Sequence, residues 1–223
     1  MNQSTTVIRR AEMGLLATHK VLRNTYALLA MTVLFSAFTA GLSMVLGLPH
    51  PGVLITLAGY FGLLWLTSKF SHSAWGLVWV FALTGFMGMT LGPILNTYLT
   101  HFSNGGQLVM TAFGGTGVIF LGLSAYALTT RKDFSFMAGM LAVGILVAFL
   151  AGLVAIFLPA MSGLHIAVSA MFILLMSGMI LFQTSEIIHG GETNYILATV
   201  SLYVSIFNLF TSLLQLLGIF SDE

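Results

Sequence analysis

The sequence predicts an all-α integral membrane protein of seven transmembrane helices, and three observations predict it. Only 6% of the 223 residues are Asp, Glu, Lys or Arg, where a soluble domain carries about 25%. Hydrophobic residues make up 58% of the chain, too many for so few charges to cover. The apolar residues also gather into charge-free runs of the length a helix needs to cross roughly 30 Å of hydrocarbon, about 20 residues. Disorder is excluded, because it requires low hydrophobicity and high net charge. The net charge of +1 gives no global field to attract nucleic acid. The absence of Cys removes disulfides, thiolate metal sites and Cys nucleophiles.

The seven runs lie at about Tyr26–Leu46, Val53–Thr67, Trp75–Leu95, Leu108–Leu128, Phe134–Leu158, Leu164–Ile188 and Tyr195–Phe220. The second is short and can borrow Gly47–Gly52 at its start, since a first turn tolerates Pro. A β-barrel does not fit, because the runs are continuously apolar and exceed the ~10 residues of a barrel strand. Turn residues separate them. Gly47-Leu48-Pro49-His50-Pro51 ends the first helix, and Ser103-Asn104-Gly105-Gly106 precedes the fourth. Arg131 and Lys132 close the fourth helix, where cations complement its dipole, and Asp133 stands where the fifth needs an N-cap. Gly190-Gly191 offers left-handed positions after the sixth, and Thr193 or Asn194 can cap the seventh. The connections are short, so neighbouring helices run antiparallel.

Basic residues set the orientation. Arg9, Arg10, Lys20 and Arg23 precede the first span, Lys69 lies between spans two and three, and Arg131 and Lys132 lie between four and five. With the N-terminus inside, every Lys and Arg is cytoplasmic, as the positive-inside rule requires. The expected organisation is a cytoplasmic N-terminal tail over residues 1–25, a bundle over 26–220 and a short outer C-terminal tail over 221–223. A re-entrant seventh segment would return that tail to the cytoplasm without changing the charge count. No apolar signal-peptide core precedes the first span, which therefore acts as an uncleaved signal anchor. The tail reads as solvated and mobile, or, from the weak pattern Val7, Ile8, Met13, Leu15 and Leu16, as partly lying on the membrane surface.

Many of the 24 Gly fall within spans, where they let helices approach closely. Gly88 and Gly92 form a small-xxx-small pair with Gly85 one turn earlier, and Gly59 with Gly62 and Gly114 with Gly117 offer similar faces. Pro93, after Gly92, frees a carbonyl one turn back and is expected to kink the third span.

Chemistry is sparse. Polar groups within a membrane are the functional candidates, because burying them is costly. Glu186 is the one acid well inside a predicted span, placed to snorkel or to meet the following loop, with Gln183 one turn before it. Ser201, Ser205, Asn208 and Ser212 form a stripe on the seventh span at spacings of 4, 3 and 4. The stripe should face the bundle interior, either as interhelical hydrogen bonds or as the lining of a polar cavity. No catalytic constellation is present. The single Glu-x-x-His, Glu186 to His189, lacks the second motif and the further carboxylates of a di-iron bundle. No nucleophile elbow or phosphate-binding loop occurs. The six His are scattered over both ends, so no cofactor and no metal site is expected.

Four segments carry a resemblance. They are THKVLRNTY from Thr18 to Tyr26, GFMGMTLGPILNTYL from Gly85 to Leu99, SAYALTTRKDFSFMAGM from Ser124 to Met140 and IIHGGETNYILATVSLYVSIFNLF from Ile187 to Phe210. From about Leu16 to Gly218 the chain resembles the Bax inhibitor family of seven-helix membrane proteins, in a bacterial inner-membrane branch. The Gly-Pro-Ile of span three and the Leu-Tyr-x-x-x-x-Asn-Leu-Phe of span seven are specific to that family. The resemblance implies six helices around a central seventh, which agrees with the polar stripe. It implies, as partners, the membrane-anchored ATP-dependent protease FtsH and its HflK–HflC complex, with the protein as modulator. Other branches behave as pH-sensitive calcium leaks gated by two aspartates, one in helix six and one in helix seven. Here those positions match Gln183 and Ser205, which do not titrate, so the proton-gated leak is expected to be absent. A hydrogen bond between the two could join helices six and seven at every pH. The tail suits the protease role. About 25 extended residues at no more than ~3.6 Å each reach up to ~90 Å, enough for a processive protease to grip. A bundle slow to extract behind it would inhibit by competition.

Overall fold

The computed structural model describes residues 3–158 and 161–221, with side chains described from Thr18 on. Seven long helices follow one another: α1 (Gln3–Val45), α2 (Val53–Phe70), α3 (Trp75–His101), α4 (Gly105–Thr130), α5 (Ala138–Phe157), α6 (Ser162–His189) and α7 (Tyr195–Ser221). Each holds a stretch long and apolar enough to cross a membrane, as the sequence requires.

Helix ends differ from the apolar runs for physical reasons. The membrane-competent part of α1 begins at Thr18, ahead of Tyr26. Lys20 and Arg23 end the apolar run but not the helix, because their long stems can lie along apolar surface while the charges reach water. The helix itself continues back to Gln3, so the segment read as a mobile tail prolongs the first helix. At the other terminus α7 runs to Ser221, and Asp222 and Glu223 lie outside the described residues. The second helix starts at Val53 without borrowing the prolines before it.

The caps are specific. Gly47 has φ +61°, its N–H donates to Met44 O at 3.1 Å, and Leu48 N donates to Ser43 O at 3.0 Å. Gly190 repeats this after α6, with φ +75° and Gly191 N donating to Glu186 O at 2.8 Å. Both are Schellman closures, which need a left-handed residue that Gly adopts freely. Asn194 caps α7, its Oδ1 accepting from Ile196 N at 2.9 Å. Asp133 caps no α-helix directly. Its Oδ1 accepts from Ser135 N at 2.8 Å, which starts a 3₁₀ turn over Ser135–Met137 that leads into α5.

Hydrogen bonds between loops fix which helix ends lie together. Asn194 Nδ2 donates to Ser71 O at 3.0 Å, Thr199 Oγ1 to Thr25 O at 3.2 Å, and His189 Nε2 lies 3.1 Å from Arg131 O. The described Lys and Arg therefore share one end, called here the basic end. At the opposite end Asn104 Nδ2 donates to Ser221 Oγ at 2.8 Å.

The most buried span is α7, which packs against α1, α3, α4 and α6. The expected ring of six is thus a first layer of four. Helix α2 packs on α3, and α5 packs on α6, in an outer layer. The pairing of α1 with α3 is the closest. A Cβ at Gly88 would overlap Thr39 Oγ1 and Ser36 O, one at Gly92 would come within 2.5 Å of Ser43 Cβ, and one at Gly85 within 2.8 Å of the Phe35 ring. Gly59 similarly receives the Phe86 ring. Gly62, Gly114 and Gly117 have nothing within 4 Å of a would-be Cβ, so they bring no helices of this bundle together.

Gly88→Ala should therefore destabilise the bundle by about 1–3 kcal/mol, the usual cost of overpacking. Gly62→Ala should cost nothing measurable. Thermal unfolding in detergent compares them, and equal melting temperatures would show that the α1–α3 contact yields easily.

Candidate functional site

The polar stripe of α7 divides by height. Near the basic end Ser205 is 1% exposed, and its hydroxyl lies 3.2 Å from Gln183 Oε1 on α6 and 3.0 Å from Ser201 O. The opposite amide orientation lets Gln183 Nε2 donate to Ser205 Oγ while the hydroxyl keeps Ser201 O, so the pair bonds either way. Farther along, Asn208 Nδ2 donates to Val204 O at 2.8 Å. Asn208 and Ser212, with Thr211, Gln215 and His165 of α6, line a cavity of about 280 Å³ walled on its apolar side by α5. Interhelical bonding and cavity lining thus occur at different levels of one stripe.

A second polar contact was not singled out from sequence. Tyr203 Oη lies 2.6 Å from Ser36 Oγ and donates to Thr84 O at 3.3 Å. It joins α7 to α1 and α3 in one buried knot. Its only signal was that Tyr203 belongs to the same span-seven motif and that Ser36 and Thr84 are polar groups in mid-span. A third contact involves Gly92 and Pro93. Pro93 has no N–H, so Met89 O loses its helical partner. Ser43 Oγ of α1 donates to that carbonyl at 2.9 Å. Gly92, beside it, leaves the room for α1 to approach.

At the basic end a clasp holds the α4–α5 connection to α6. Ser185 Oγ accepts from Phe134 N at 3.1 Å and donates to Lys132 O at 3.2 Å. His189 spans from Ser185 O, 2.9 Å from its Nδ1, to Arg131 O. The Ser135 backbone N–H and hydroxyl hold the exposed Asp133 carboxyl below the usual carboxylate range. That depressed value gives a stabilisation present at neutral pH and lost as pH falls through it. Glu186 is half-buried, and its carboxylate lies against Gly191 in the next connection. It takes no part in the α7 stripe. Among the described residues no three His, Asp or Glu side chains gather where they could hold a metal ion.

Comparison with known proteins adds identity to this geometry. Residues 18–222 match the model of a family described as inhibitor of apoptosis-promoting Bax1. A protein of Escherichia coli K12 called modulator of FtsH protease YccA is 57% identical over 210 residues, 94% of each chain. Its counterpart in another Escherichia coli strain, equally similar, is called inner membrane protein YccA. An uncharacterised protein of Pseudomonas aeruginosa is 58% identical over 199 residues, 89% of each chain.

Two outcomes follow from the geometry. A double-mutant cycle of Gln183→Ala with Ser205→Ala should give a coupling of about 0.6 kcal/mol, with ~1.7 as a ceiling. It should be equal at about pH 6 and pH 8, because neither side chain titrates there; a coupling that changes with pH would refute the neutral bond. Tyr203→Phe should cost more, about 1–3 kcal/mol, since it leaves Ser36 and Thr84 O in an apolar interior with one partner fewer. Chemical denaturation in detergent reads both.

Proposed function

Because the chain belongs to the Bax inhibitor family, we propose that it is a non-enzymatic modulator of the membrane-anchored ATP-dependent protease FtsH, acting as a slowly extracted substrate that competes with others. One observation carries this reading: 57% identity over 94% of both chains with a protein called modulator of that protease. In this reading the basic end faces the cytoplasm of a bacterial inner membrane, and the C-terminus is periplasmic. The HflK–HflC complex is the accompanying partner, as the resemblance implies.

The N-terminal part of α1 is the handle. As a helix its residues before Thr18 extend about 1.5 Å each, far less than an open chain. Helices draw most of their stability from tertiary packing and not from propensity, so a pulling motor would unwind this part more readily than the packed span behind it. Resistance begins where α1 enters the bundle.

Deleting Asn2–Ala17 should leave the bundle's melting temperature unchanged. It should abolish FtsH-dependent turnover and relieve the slowing of other membrane substrates in a reconstituted degradation assay. Degradation of the truncated protein at the full-length rate would end the handle mechanism. The alternative, a calcium leak gated by paired acids, is disfavoured by the neutral Gln183–Ser205 contact at 3.2 Å. In calcium-loaded liposomes flux should stay at background from about pH 6 to pH 8, and a flux that changes with pH and is lost in Gln183→Ala would restore that alternative.

A further inference from the structure

A cavity of about 640 Å³ opens at the basic end beside α1 and α4, lined by His19, Lys20, Leu22, Arg23, Tyr26 and Leu128. We infer that this cavity binds the phosphate headgroup of an anionic phospholipid. Its volume falls in the range of small-molecule sites, roughly 300–1,000 Å³.

The residues divide as such a ligand would require. His19, Arg23 and Tyr26 are spaced i, i+4 and i+7, so they share one face of α1, and Lys20 stands beside it. Lys20 and Arg23 bring two positive charges, and Arg offers a planar donor fork suited to phosphate oxygens. Leu22 and Leu128 supply apolar wall. The acidic side chains described are Asp133, Glu186 and Glu192, and none lines the cavity. Among the described residues no acid inside it neutralises the bases.

An independent observation points the same way. The Tyr26 hydroxyl is buried and has no hydrogen-bond partner. Its ring packs on Phe120 of α4, with centroids 6.0 Å apart, which holds Tyr26 between the two helices. An orphaned donor in an apolar setting is costly, and a phosphate oxygen would satisfy it once the side chain turns its hydroxyl into the cavity it lines. Position selects a lipid over a soluble anion. The membrane-competent part of α1 begins at Thr18, so these bases occupy its first two turns, the level of the headgroups, with Tyr26 one turn deeper. This inference is independent of the protease reading.

The test uses the full-length protein in neutral detergent, with native mass spectrometry of bound lipid and melting temperature as readouts. Phosphatidylglycerol should bind at least tenfold more tightly than phosphatidylcholine. Lys20→Gln with Arg23→Gln should weaken phosphatidylglycerol by about 25-fold and erase the preference, at roughly fivefold per charge. Tyr26→Phe keeps every charge and should still weaken it by about tenfold. Arg131→Gln with Lys132→Gln removes equal charge from the same end and should change affinity less than twofold. If that control loses as much as the cavity variant, the basic end attracts anions only in general and the site is refuted. Unchanged affinity in Tyr26→Phe refutes it as well. Inorganic phosphate raising the melting temperature as much as phosphatidylglycerol would reassign the cavity to a free anion. Should the double variant fail to fold, Tyr26→Phe and Lys20→Gln alone decide the matter.

Discussion

In hydrocarbon no water drives helices together, so close backbone approach and a few hydrogen bonds must hold this bundle. The contact of α1 with α3 supplies both. Gly85, Gly88 and Gly92 form a groove with no side chains of its own, and the Phe35 ring with Ser36, Thr39, Ala40 and Ser43 of α1 fills it. Dispersion at that distance replaces the hydrophobic effect. Pro93 would leave a bare carbonyl in lipid, which is expensive. The same close approach brings Ser43 near enough to satisfy it. The groove and the hydrogen bond are therefore one device, and removing Gly92 would break both. With that pair fixed, Ser36 and Thr84 stand where Tyr203 can reach both, and α7 takes its place at the centre.

That centre is polar but uncharged. Serines, Asn208, Gln183 and Tyr203 supply the interior polar groups, while the described acids stand at the basic end. Neutral bonds cost less to bury than ions and do not titrate, so they give α7 a fixed register at any physiological pH. The chemistry follows from the choice: the stripe can hold helices together and line a small cavity, yet it provides no group to store or release a proton.

Much of the fold was legible in the sequence because one rule governs it. Every charge-free run long enough to cross a bilayer became a helix, and glycines after α1 and α6 closed those helices as their left-handed freedom allows. The start of α1 was not legible. Lys20 and Arg23 interrupt an apolar run but cost a helix nothing, so hydropathy misplaces that boundary. The site was legible in part. The α7 stripe follows from spacing on one helix, and so does the role of Gly88 and Gly92. Tyr203 with Ser36 and Thr84, and Ser43 with Met89 O, join residues far apart in sequence. No local pattern encodes such pairs. For the same reason Gly114 and Gly117 looked like a packing face, although the structure sets nothing against them.

The arrangement also decides where a motor pulling from the N-terminus would meet resistance. The first helix to leave would be α1, and its pairing with α3 is the closest in the bundle. Its extraction must open the glycine groove, break Ser43 from Met89 O and part Ser36 from Tyr203, all while exposing polar groups to lipid. Helices α3, α6 and α7 are packed at least as extensively, and α2 and α5 hold on least of all. A protein whose last defences were strong would be engaged and largely consumed before stalling. One whose first span is already held tightly stalls the motor early, with the rest of the bundle intact. Occupying a protease for long at the expense of few molecules calls for the second design, and under the proposed function the α1–α3 groove, in the far half of the first span to be pulled, supplies it.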